Sequence, residues 1–239
     1  MPLDQATLDQ FLETVTRFVD ERLIPAEAEV DASDKVPDAI VSEMKEMGFF
    51  GLTIPEQYGG LGLSPTEEVE VAWAITHAAP AFRSAFGTNV AIGSQGLVID
   101  GTEEQKQKYL PGMASGEIIA SFALTEPDIG SDAASVKTRA DRDGNGYILN
   151  GTKRFITNAP VANTFTVMAR TDQEQRGSRG VSAFIVDADT PGIRLGTPEN
   201  KMGQKGAHIC DVVFEDCRIP GDALIGGVEG QGFKTAMKV

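Results

Sequence analysis

The chain of 239 residues holds only two cysteines, two histidines, one tryptophan and three tyrosines. Cys210 and Cys217 stand six residues apart in between, which is no zinc spacing, and His77 and His208 are distant in sequence. A metal centre is therefore not expected, and the thiols read as structural ones in a reducing compartment. Positive charge is also scarce: 21 Lys and Arg face 35 Asp and Glu, for a formal net charge of −14. So acidic a chain repels phosphate backbones and anionic lipid, which argues against nucleic-acid and membrane-surface partners. Any anionic ligand must be met by local N–H groups and hydroxyls. No apolar run approaches membrane-spanning length, and no basic n-region precedes an apolar stretch at the N-terminus. No targeting segment is read, and the expected location is cytoplasmic. What remains, 41% hydrophobic and 23% charged residues, is the composition of a globular protein long enough for two cores.

The first half reads as helical. Phe11, Leu12, Val15, Phe18, Val19 and Leu23 recur at helical spacing after Leu8. Pro37 suits the first turn of a helix from Asp38 to Met47 with Gly48 as its stop, and a third helix is expected from about Pro65 to Ala78. Ala81 to Asp100 reads as one further helix. It retains Gly87, Gly93 and Gly96, each less favourable than Ala by ~1 kcal/mol, so thin walls are needed there for close packing or for a ligand. Thr102 and Gln105 form a capping box that opens a polar helix ending by Pro111.

From about Glu117 the pattern becomes β. Strands are predicted at Ile118–Thr125, Val136–Arg142, Tyr147–Leu149, Lys153–Thr157, Thr164–Arg170, Val181–Val186 and Asp211–Phe214. Asp143-Gly-Asn-Gly146 is a hairpin signal between two of them. Gln173–Gly180 reads as a solvated loop, and Gly230-Gln-Gly232 leads into a helix start. The expected fold is thus α+β: a helical domain over 1–116, an antiparallel β-barrel or sandwich over 117–225, and over 226–239 the start of a further helical domain.

Two stretches carry chemistry. In Phe122-Ala-Leu-Thr-Glu-Pro-Asp-Ile-Gly-Ser-Asp132, Pro127 ends a strand because it lacks a ladder donor. Gly130 then permits close backbone approach, and Ser131 offers a hydroxyl together with an N–H. That combination suits a phosphate oxygen, although an ordinary turn uses the same residues. The second stretch is Gly151-Thr-Lys-Arg-Phe-Ile-Thr-Asn158.

Together, Leu124-Thr-Glu-Pro127, Gly130-Ser-Asp132 and Phe155-Ile-Thr-Asn158 resemble the flavin-binding signature of the acyl-CoA dehydrogenase family. The likeness extends over nearly the whole chain. It implies FAD as cofactor, with Phe122, Leu124 and Thr125 near the pyrimidine end of the isoalloxazine and Phe155, Ile156 and Thr157 along its other edge. Thr157 would set its hydroxyl near N5, and Gly130 and Ser131 would meet the pyrophosphate, Ser131 also touching the CoA arm. Phe86, Thr88 and Ile92 would line the acyl pocket. A Trp commonly stands in that family where this chain has Phe155, so the indole N–H is lost while an apolar stacking face is kept.

The reaction so implied removes the α-proton of an acyl-CoA thioester to a carboxylate while the β-hydrogen leaves as hydride to the flavin, giving the trans-2-enoyl-CoA. Electrons then pass to an electron-transferring flavoprotein, and the assembly would be a homo-oligomer, a dimer or tetramer. An acyl-CoA oxidase using oxygen and a non-catalytic binding module with the same fold are the alternatives. The catalytic Glu of the family is expected beyond Val239, so none of Glu126, Asp132 and Glu229 is read as the base.

Overall fold

The computed structural model describes residues 4–239. The first three residues, part of the stretch read for a targeting segment, lie outside the described residues. Helix α1 (Gln5–Phe18) starts at Asp4, whose carboxylate accepts the Thr7 N–H, and buries Leu8, Val15 and Phe18. A wider helical turn at Val19–Leu23 runs directly into α2 (Ile24–Ser33), with Pro25 at the junction. Helix α2 has no counterpart in the sequence reading, because Val30 is its one buried residue and no apolar stripe marks it. Helix α3 (Asp38–Glu46) stops at Gly48 with φ +77°, as the sequence indicates. Then come α4 (Pro65–Ile75), α5 (Pro80–Val90), α6 (Gln95–Asp100) and α7 (Glu103–Ser115). Phe49, Phe50, Phe82 and Phe86 form the middle of the helical core.

Two helix readings are corrected. The single helix expected over Ala81–Asp100 breaks after Val90, where Ala91 adopts φ −115° and ψ −114°. The sheet presses on this point. Gly93 donates to the Thr88 carbonyl, the Thr166 hydroxyl donates to the Gly93 carbonyl, and a Cβ on Gly93 would stand 2.6 Å from Thr88 O and 2.8 Å from Ala120 Cβ. Gly96 likewise faces the Thr235 methyl, so close packing accounts for both glycines. The second correction concerns α7, which runs through Pro111 to Ser115 instead of ending there. Only the Pro111 N–H is lost to the helix, while Leu110 before it and Met113 and Ala114 after it are buried.

The second half forms one seven-stranded sheet. Its strands are β1 (Ala120–Ala123), β2 (Arg139–Asp143), β3 (Gly146–Thr157), β4 (Thr164–Arg170), β5 (Val181–Asp187), β6 (Ile193–Leu195) and β7 (Ile209–Ile219). The order is β1-β4-β2-β3-β7-β6, with β5 on β4. The helical-then-β architecture is as expected, but the sheet is mixed: β1 and β2 lie parallel to β4. The β2–β3 hairpin separates β1 from β4 in sequence, which leaves enough chain for a parallel return. That hairpin pairs Asp143 with Gly146 across Gly144-Asn145, with Gly144 at φ +58°.

Two predicted strands merge into the twelve-residue β3, because bulges near Gly151 and at Arg154-Phe155 carry its ladder with β7 onward. Strand β7 is longer than expected for the same reason, and the three-residue β6 was too short to stand out. Helix α8 (Gly232–Ala236) seats its first glycine against the Ser182–Ala183 backbone. Among the described residues no helix is long and apolar enough to cross a membrane.

Candidate functional site

The two stretches singled out in the sequence lie side by side. Strand β2 pairs with β3 only as far as Asn150, and beyond that point the end of β1 runs beside β3. Three hydrogen bonds stitch them: Ser121 Oγ to Thr157 O at 2.6 Å, Lys153 Nζ to Leu124 O at 3.1 Å, and Arg154 N–H to Thr125 O at 2.8 Å. The first stretch then turns at Pro127, where Glu126 and Ile129 exchange main-chain hydrogen bonds.

The bulge in β3 shapes the surface. Phe155 takes φ +58°, unusual for an aromatic residue; the residue is 53% exposed, and the Arg154 guanidinium lies over its ring at 5.2 Å. Asn158 also adopts a left-handed conformation, φ +60°, and its amide donates to Ser84 O and to Thr88 Oγ1. These bonds tie the end of β3 to α5.

Phe122, Leu124, Thr125 and Thr157 are half-buried on this ridge, and Gly130 and Ser131 are exposed in the turn that follows. A Cβ on Gly130 would meet nothing within 4 Å, so the space above the turn is open. The hydroxyls of Thr125, Ser131 and Thr157 have no hydrogen-bond partner among the described residues. Ile156, by contrast, is buried in the sheet core, which leaves its main chain as what it can offer at the surface.

The three acyl-pocket candidates are not brought together. Phe86 is packed between Phe49 and Phe50, with ring centroids 5.4 and 6.4 Å away, Thr88 is buried and bonded to Asn158, and Ile92 is exposed at the α5–α6 break. An exposed ring, apolar neighbours, three free hydroxyls and an open glycine turn fit a flat heteroaromatic group with an anionic tail.

Sequence reasoning missed the polar groups beneath this ridge. Lys153 is fully buried and its ammonium stands 2.8 Å from Glu126 Oε1, which also accepts the Thr138 N–H; Glu126 Oε2 accepts the Lys137 N–H. Burial works to raise the Glu126 pKa, but the Lys153 charge and these donors outweigh it and hold the carboxyl below its usual range. Burial pulls the Lys153 ammonium down, with Glu126 opposing. Buried Arg170 donates to the carbonyls of Ala134, Val136, Gln175 and Gly177. The loop read as simply solvated is therefore anchored from below. Lys153 stands among Asn150, Gly151, Thr152 and Arg154, so no local apolar pattern marked it as buried.

Residues 5–117 match the family model of the acyl-CoA dehydrogenase N-terminal domain, and residues 121–217 match that of the acyl-CoA dehydrogenase middle domain. The 2-methylacyl-CoA dehydrogenase of Solanum tuberosum mitochondria is 40% identical over 234 residues, 97% of this chain and 56% of that protein. The mitochondrial isovaleryl-CoA dehydrogenase of Pongo abelii is 39% identical over 220 residues, 91% of this chain and 52% of that protein. The solved acyl-CoA dehydrogenase from Bacillus anthracis, complexed with FAD, superposes with a TM-score of 0.88 at 36% identity, covering 98% of this chain and 40% of that one. The chain thus spans about half the length of these curated relatives.

Proposed function

This chain belongs to the acyl-CoA dehydrogenase family, and from that premise we propose that it supplies the flavin-binding half of an enzyme that dehydrogenates an acyl-CoA thioester to the trans-2-enoyl-CoA. The observation that carries this reading is the stitching of β1 to β3, which sets Phe122, Leu124 and Thr125 beside Phe155 and Thr157 on one ridge. Bound FAD would supply the acceptor for the hydride that leaves the substrate β-carbon. Phe122, Leu124 and Phe155 would give it apolar walls, Ile156 main-chain groups, and Gly130 and Ser131 donors for its pyrophosphate. The Thr157 hydroxyl would donate to the charge that develops on reduction. Ser131 would contact the CoA ester and Ile92, exposed at the α5–α6 break, its acyl chain, while the buried Phe86 and Thr88 would act only through the packing behind them.

The base is proposed to come from the part of the enzyme that this chain does not span. The nearby carboxylates are already engaged: Glu126 with Lys153, Asp132 with the Ser135 hydroxyl, and Glu229 with Tyr147 and Arg142. Electrons are proposed to pass to an electron-transferring flavoprotein, from a homo-oligomer in a reducing, cytoplasmic compartment, where the buried thiols of Cys210 and Cys217 stay free.

The test is anaerobic mixing of the full-length flavoprotein with a panel of acyl-CoA thioesters while flavin absorbance is followed. Bleaching with at least one thioester is expected, and a colourless preparation that takes up no FAD would overturn the reading. Oxygen consumption measured against reduction of an electron-transferring flavoprotein separates a dehydrogenase from an oxidase. The same mixing with the FAD-supplemented 239-residue chain is expected to give no bleaching; rapid bleaching would put the base within it.

A further inference from the structure

The turn that carries Gly130 and Ser131 has little holding it from above. Pro127, Asp128, Gly130, Ser131, Asp132 and Ser135 are exposed while Ile129 is buried, and the turn's own bonds are the Glu126–Ile129 exchange, the Ser135–Asp132 contacts and an exposed Asp128–Lys137 ion pair. Apart from the packing of Ile129, its buried polar anchors lie at its two ends. At the entry, Lys153 holds the Leu124 carbonyl and the Glu126 carboxylate, and Glu126 in turn holds the Lys137 and Thr138 amides. At the exit, Arg170 holds the Ala134 and Val136 carbonyls.

We propose that Lys153, paired with Glu126, is a positioning residue for the cofactor site, fixing the pyrophosphate turn against the ridge of β3. The proposal rests on the reading that this ridge binds FAD. Lys153 precedes the bulge that turns Phe155 outward, so one buried ammonium sets the origin of both stretches. A buried ion pair is a weak source of stability, since apolar side chains of similar size fill such a space as well or better. What apolar side chains cannot supply is a directed hold on a carbonyl and a carboxylate at once. Arg170 adds charge to geometry: it pairs with no carboxylate among the described residues, leaving a positive charge beneath a turn that would meet an anionic group, in a chain of net charge −14.

The experiment uses the full-length protein and compares the parent with Lys153→Met, measuring FAD affinity of the apoprotein by flavin fluorescence quenching and stability by urea unfolding. Val71→Ala, in the helical core away from the ridge, is the control for lost stability alone. The expected result is a weakening of FAD binding by roughly 10- to 100-fold in Lys153→Met, with the visible band of the residual bound flavin shifted. Val71→Ala should bind FAD as the parent does, although it unfolds at lower urea. Where Lys153→Met does not fold, the double variant Glu126→Gln, Lys153→Met leaves no unpaired buried charge and is judged by the same criterion. Parental FAD affinity in the folded variant, or an equal loss in Val71→Ala, would overturn the positioning role. A parent protein that binds no FAD would instead sink the cofactor reading beneath it.

Discussion

The Ser121 hydroxyl donates to the main-chain carbonyl of Thr157 across 2.6 Å, joining residues 36 apart in sequence. The orientation of Thr157 is therefore set by β1 as much as by its own strand. Its side-chain hydroxyl makes no hydrogen bond among the described residues and is free to serve a ligand.

Thr157→Val in the full-length enzyme keeps a β-branched side chain in the strand, so the thermal midpoint should stay near the parent's. Flavin reduction by substrate should slow, by a barrier increase of up to about 2–4 kcal/mol for one donor lost at a developing charge. Stopped-flow reduction at the parental rate would make Thr157 a strand residue only.

Ser131 is exposed in an open turn, so Ser131→Glu should leave folding unaffected while setting a negative charge where the pyrophosphate is proposed to lie. The ratio of flavin to protein absorbance after purification should fall sharply. Stoichiometric FAD in that variant would remove Ser131 from the site.

Acid should loosen the platform beneath the ridge. The folded-state pKa of Glu126 lies below its ordinary 4.5, so folding favours the carboxylate; its contribution to stability is present above 4.5 and is lost as pH falls through the folded value. Glu126→Gln should be less stable than the parent at neutral pH, and the gap between their urea midpoints should narrow as pH drops below 4.5. A gap independent of pH would mean that the charge on Glu126 contributes nothing.

The glycines of α5 and the break after it should respond oppositely to alanine. Gly93→Ala drives a Cβ into the Thr88 carbonyl and Ala120, neither of which can swing away, and should destabilise by roughly 1–3 kcal/mol. For Gly87→Ala the nearest atoms belong to the flexible Arg83 side chain, which can shift at the expense of its partly exposed pair with Glu68, so the helix should be stabilised by up to about 1 kcal/mol. Chemical denaturation of both variants checks the pair.

Local signals sufficed where one segment decides its own shape. Pro37 with Gly48 bounded α3, Thr102 with Gln105 opened α7, and Gly144-Asn145 made the hairpin, because caps and tight turns are satisfied by residues within a few positions. The signature residues from Phe122 to Ser131 and from Phe155 to Asn158 were legible for a related reason, since each stretch carries its own run of residue types. Tertiary structure decided the rest. The break at Ala91 depends on Ala120 pressing against Gly93, the passage of α7 through Pro111 on burial of Leu110 and Met113, and the parallel placement of β1 on the return of β4. The outward turn of Phe155 and the burial of Lys153 with Glu126 likewise need partners far along the chain. Periodicity records which face of an element is apolar, but not which distant group will satisfy a charge once that face is covered.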